Sequence, residues 1–99
     1  MEEKYIRMAK VFKSLSDPKR VQIIDMLSDG EKCACWLLEH FQIAQPTLSH
    51  DMKVLMDAGV IKSRREGQRT LYSLNMDALK KMQKTLKRML ENKSEVQTE

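Results

Sequence analysis

The segment Gln45-Pro46-Thr47-Leu48-Ser49-His50-Asp51-Met52-Lys53-Val54-Leu55, with Arg64-Arg65-Glu66-Gly67-Gln68-Arg69-Thr70-Leu71-Tyr72-Ser73-Leu74 shortly after it, decides the fold. At about 100° per residue, Leu48, Met52 and Leu55 fall on one face of a helix over 46–58. Thr47, Ser49, His50 and Lys53 fall on or beside the opposite face. Pro46 suits a first helical turn, and Gly59 suits the residue after the last one. Residues 60–65 and 69–74 then alternate apolar and polar around Glu66-Gly67-Gln68, which predicts a β-hairpin anchored by Val60, Leu71 and Leu74.

Upstream, Tyr5, Met8, Phe12 and Leu15 repeat at intervals of 3, 4 and 3, a single apolar stripe on a helix. Asp17 then suits an N-cap and Pro18 a first helical position. The second helix is expected to turn Val21, Ile24 and Leu27 inward and to stop near Asp29-Gly30. A third helix is expected over Glu31–Phe41, followed by a tight turn at Gln42-Ile43-Ala44. Leu79, Met82, Leu86 and Met89 mark a last helix over Met76–Glu91. The order is three helices, a reading-type helix, a hairpin and a closing helix. That predicts a mainly α winged helix-turn-helix domain over 1–92, with a polar tail over 93–99.

The composition is consistent with this. A chain of 99 residues with 41% hydrophobic content supports one small core. Three glycines and two prolines suit a compact, mostly helical chain. A net charge of +4 favours a polyanionic partner, and pairing two copies doubles it. No apolar run reaches membrane-spanning length and no signal peptide opens the chain, so a cytoplasmic protein with reduced thiols and no membrane partner is expected.

The polar face of the helix over 46–58 offers hydroxyls, an imidazole and an ammonium group, the groups that read base edges and phosphates in a major groove. Gln45 adds an amide at its entrance. Any surface helix has a solvated face, so the helix alone does not distinguish the two readings. Lys62, Arg64, Arg65 and Arg69 tip the balance. They cluster within eight residues with only Glu66 opposing them, as expected of a wing against DNA. The expected DNA contacts are Gln45, Pro46, Thr47, Ser49, His50, Lys53, Arg64, Arg65, Gln68 and Arg69. The expected partner is double-stranded operator DNA.

Cys33-Ala34-Cys35 admits three readings: a soft-metal or metalloid site, a redox pair, or two small packed residues. A position near a helix N-terminus favours thiolate. On an intact α-helix, residues i and i+2 lie about 200° apart, so binding one ion through both sulfurs requires the first turn to distort. No other cysteine exists, which excludes a four-thiolate zinc site in one protomer. His40 is poorly placed as a partner, and Trp36 reads as partly buried packing. Two thiolates suit trivalent arsenic or antimony, with other thiophilic metals as alternatives and a third ligand from elsewhere. No constitutive cofactor is expected. The seams Tyr5, Met8 and Phe12 and Leu79, Met82, Leu86 and Met89 exceed what a small monomer covers, which predicts a twofold homodimer through the first and last helices.

These motifs resemble the ArsR/SmtB family of metal-responsive repressors over about residues 8–75. Leu15-Ser16-Asp17-Pro18-Lys19-Arg20 is similar to its opening loop, Cys33-Ala34-Cys35 to its Cys-x-Cys sensor, Gln45-Pro46-Thr47-Leu48-Ser49-His50 to its recognition helix, and the stretch from Arg65 to Leu74 to its wing. The resemblance implies a homodimeric repressor that leaves its operator when an inducer binds. The chain departs from the family in places. Asp51 stands where a second histidine is frequent, and Leu38 where well-known arsenic sensors have a third cysteine. Residues 1–32 contain no cysteine of the cadmium-sensor kind, and Met76–Glu91 has Asp77 but no histidine of the zinc-sensor kind. The resemblance therefore implies a two-thiol arsenite or antimonite sensor. The rivals are a redox or reactive-sulfur sensing repressor on the same scaffold, and an interaction module without a DNA role. No catalytic constellation is legible, so an enzyme is not expected.

Overall fold

A computed structural model describes residues 1–91. The polar tail expected over 93–99 lies outside the described residues. The elements run α1 (Glu3–Ser14), α2 (Pro18–Leu27), β1 (Lys32–Cys33), α3 (Ala34–Phe41), α4 (Gln45–Asp57), β2 (Ile61–Glu66), β3 (Arg69–Leu74) and α5 (Met76–Leu90). No helix among the described residues is long and apolar enough to cross a membrane.

Local chemistry sets the boundaries. The Asp17 carboxylate accepts from Lys19 N–H at 2.8 Å and Pro18 opens α2, which satisfies one of the orphan donors at that end. That backbone hydrogen bond holds the Asp17 carboxyl below its usual range. At the end of α4, Val60 N–H donates to Leu55 O and Gly59 N–H to Met56 O, at 3.2 and 2.9 Å. This paired closure needs a left-handed residue, and Gly59 supplies it at φ 79°. It also drives Val60 into the core. Asn75 caps α5 by accepting from Ala78 N–H, and its amide donates to Gly59 O at 2.9 Å. One side chain thus ties the end of α4 to the start of α5.

The core is Val11, Ile23, Leu27, Leu37, Leu48, Met52, Leu55, Val60 and Ile61. Each fully buried aliphatic side chain contributes about 1.5–3 kcal/mol. The inward face of α2 differs from expectation. Val21 is 48% exposed, whereas Ile23 is fully buried. Ile23 and Leu27, four residues apart, form the stripe that joins the core, and Val21 lies beside it.

A second correction concerns residues 31–33. The third helix does not begin at Glu31. Lys32 and Cys33 form β1, whose Cα partners are Tyr72 and Leu71 on β3, antiparallel. The wing is therefore the outer part of a three-stranded sheet of order β1-β3-β2. β2 and β3 pair in register from Ile61–Leu74 to Glu66–Arg69, and the turn between them carries Gly67 at φ 62°.

Candidate nucleic-acid interface and thiol site

The faces of α4 fall as the 3.6-residue period requires. Leu48, Met52 and Leu55 are buried. Gln45, Pro46, Thr47, Ser49, His50 and Lys53 are exposed. Lys53 reaches Asp57 at 3.3 Å in an i,i+4 pair. Such an exposed pair is worth little.

Asp51 does not belong to that polar face. It is 3% exposed and packs inward with Leu48 and Met52. Arg20 donates to its Oδ1 at 3.3 Å, and the same guanidinium donates through Nε to Ser14 O at 2.7 Å. Lys19 Nζ lies 2.6 Å from Oδ2, at an angle that makes no hydrogen bond, so charge holds that oxygen. Asp51 thereby fastens α4 to the first turn of α2 and, through Arg20, to the end of α1. Sequence reasoning noted Asp51 only as a departure in a DNA-reading segment. The available signal was its position on the wheel. A carboxylate on the apolar face needs a cation, and Lys19-Arg20 supplies two.

The wing arginines are unequal. Arg65 and Gln68 are exposed, and Arg65 makes no ion pair among the described residues. Arg69 reaches Glu66 only at 4.0 Å. Arg64, however, donates through Nε and one terminal nitrogen to the two oxygens of Glu31, both at 2.8 Å, and lies 3.9 Å from Glu66. Glu66 is therefore not the sole opposing charge. The Arg64 hydrogen bonds hold the Glu31 carboxyl below its usual range, and Glu31 raises Arg64 in turn. Burial in the sheet pushes the Tyr72 phenol up.

The thiols meet without unwinding a helix, contrary to expectation. Cys33 is the extended N-cap of α3 (φ −81°, ψ 155°), not a helical residue, and its sulfur accepts from Trp36 N–H at 3.2 Å. Cys35 lies in the first turn of α3. The Cα atoms are 5.2 Å apart, and the two sulfurs are joined as a disulfide in this structure, where free thiols were expected. The β-turned backbone at Cys33 lets residues i and i+2 face one centre. Trp36 is 39% exposed and stacks on His40 at 5.4 Å, while Lys32 Nζ lies over its ring at 5.4 Å. His40 thus packs on Trp36 and Phe41. No group of three or more histidine, cysteine, aspartate or glutamate side chains gathers among the described residues.

The apolar seams expected to form a dimer lie along α1 and α5. Tyr5, Phe12 and Met89 are exposed, and Met8, Leu79, Met82 and Leu86 are half-buried. α5 buries no residue completely. A groove of about 520 Å³ runs beside it, lined by Leu15, Leu79, Met82, Leu86 and Leu90 among others. Leu15 continues the apolar stripe expected on α1, and Leu90 extends the face of α5 beyond the residues expected from the sequence.

Comparisons with known proteins agree with this fold. The family model described as "Bacterial regulatory protein, arsR family" matches residues 17–63. The arsenical resistance operon repressor of Staphylococcus xylosus is 51% identical over 75 residues, spanning 76% of this chain and 72% of the relative. That of Staphylococcus aureus is 51% identical over 71 residues, spanning 72% and 68%. Among solved structures, an ArsR-like transcriptional regulator from Rhodococcus sp. superposes with a TM-score of 0.79 at 25% identity, over 89% of this chain and 83% of that one.

Proposed function

This chain belongs to the arsR family of bacterial regulatory proteins, and from that premise we propose that it represses transcription as a homodimer and leaves its operator when arsenite or antimonite bridges Cys33 and Cys35. Its relatives are transcriptional regulators, and it is a DNA-binding repressor rather than an enzyme. The observation that carries the inducer reading is the meeting of the two sulfurs at the N-cap of α3. An ion bridging them acts on an eight-residue helix that leads, through the turn at residues 42–44, into α4. It acts equally on β1, which belongs to the wing's sheet. Both DNA-facing elements thus share one mechanical origin. The helix N-terminus favours thiolates, the form that binds a soft ion.

The test is a titration of the reduced protein on its own promoter DNA with arsenite, antimonite, cadmium and zinc. Release by the first two at the lowest concentrations is expected. No release by either overturns the metalloid reading. The sulfur–sulfur bond in the structure favours one second reading, a dithiol–disulfide switch. Oxidant-driven release with loss of two hydrogen masses, and no release by arsenite, would select it.

The base-reading and backbone-contacting groups separate experimentally. Replacing Ser49 or His50 reduces discrimination between operator and unrelated DNA. Replacing Arg65 or Arg69 weakens all DNA alike and flattens the salt slope by about one unit per lost phosphate contact. An Arg65→Ala protein with unchanged affinity and slope would refute the wing assignment.

The homodimer joins the α1 and α5 seams across a twofold axis, placing two α4 helices at half-sites about one DNA turn apart. Leu86→Glu puts a charge into that seam at a half-buried position outside the core cluster. Sedimentation at micromolar concentration is expected to show a dimer for the parent and a monomer for the variant.

A further inference from the structure

The bidentate pair between Glu31 and Arg64 joins residues 33 positions apart, and its place in the fold is specific. Cys33 pairs with Leu71 on β3, and Leu71 pairs with Arg64 on β2. Directly opposed residues share a sheet face, so Cys33, Leu71 and Arg64 form one cross-strand row. Leu71 is buried yet stands outside the main core cluster, on the opposite face from Ile61. Glu31, two residues before Cys33, closes over this row. Its two oxygens fill the guanidinium fork of Arg64 at 2.8 Å each. A planar fork that accepts a carboxylate in this way accepts a phosphate with the same geometry.

We propose that Glu31 is an internal competitor for DNA phosphate, clasping Arg64 and withholding one wing cation per protomer from the DNA backbone. This inference rests on the repressor reading and deepens it. Arg65 and Arg69 engage phosphate, and Arg64 does so only when Glu31 lets go. The competing carboxylate rides on the segment that carries the thiols, so the grip of the wing is set from the sensor side of the sheet.

The test is the salt dependence of operator binding by the full-length reduced protein. E31Q is expected to bind more tightly and to steepen the slope by about 0.9 per protomer, the increment of one added phosphate contact. R64A alone is expected to leave the slope unchanged, and E31Q/R64A to return it to the parent value. E39Q, which removes the same charge from the exposed face of α3, is expected to leave it unchanged. The clasp is overturned if R64A flattens the slope as R65A does, if E31Q leaves it unchanged, if E39Q steepens it equally, or if the double variant keeps the E31Q slope. A parent protein that retains no DNA at any salt overturns the repressor reading and the clasp together. The other failures strike the clasp alone.

Discussion

Cys33→Ser and Cys35→Ser proteins are each expected to fold, to bind operator as the parent does, and to stay bound when arsenite is added. Neither sulfur lies on the exposed face of α4 or on the β2–β3 turn, so DNA contact survives. One remaining thiolate cannot chelate, so release is lost. On the proposed mechanism the parent response is a differential affinity, with the ion binding the DNA-incompetent conformer more tightly than the operator-bound one. A typical coupling of about 1–3 kcal/mol weakens DNA binding roughly 5- to 150-fold, and the variants lose that factor entirely. Reciprocity requires operator DNA to weaken arsenite binding by the same factor. Equal arsenite affinities with and without operator would leave the sulfurs as an incidental trap, even with the ion seen bound to both.

Asp51→Ala is expected to be among the most damaging substitutions on α4, although Asp51 lies off the exposed face of that helix. Removing one partner of a buried ion pair costs about 3–5 kcal/mol. Lys19 and Arg20 keep 27% and 14% of their side-chain exposure, so they regain some hydration and the cost falls at the lower end. About 3 kcal/mol in a domain of this size lowers the melting temperature by more than about 10 °C. Asp51→Asn keeps an acceptor for Arg20 and is expected to lose less. Paired thermal melts and operator titrations check this. Operator affinity should fall in both variants even well below melting, because the orientation of α4 against α2 is released. A loss under about 0.5 kcal/mol, the range of ordinary surface changes, would show that Asp51 anchors nothing.

Asp51 also shows where the sequence was legible and where it was not. The exposed face of α4, the proline and glycine punctuation and the hairpin were readable, because periodicity and turn chemistry are local. Asp51 stood among polar neighbours, and its burial depends on two cations 31 and 32 positions away. β1 has two residues, too few to show a period, and exists because Leu71 and Tyr72 offer partners. That missing strand made Cys33 look helical and made convergence of the thiols look as if it required unwinding. Gln42 ends α3 at φ 52° without being a glycine, a conformation that composition does not announce. Val21 reads as inward from the sequence and Ile23 does not, because either set of spacings gives a plausible stripe on a ten-residue helix. The wing cations were visible in the sequence. Their unequal pairing was not, since Glu31 meets Arg64 only once β1 joins the sheet.

The strand order β1-β3-β2 leaves β3 covered on both sides and β2 with one side open. An open strand six residues long is a template for adding another chain. Lys62, Arg64 and Arg65 lie along this one, and like charges on two copies oppose edge-to-edge stacking. The basic wing therefore also serves colloidal stability. Stripping all its cations at once to make a DNA-blind control would expose a nearly neutral β edge and invite aggregation. Single substitutions, or arginine to glutamate exchanges, keep the edge charged and the protein dispersed.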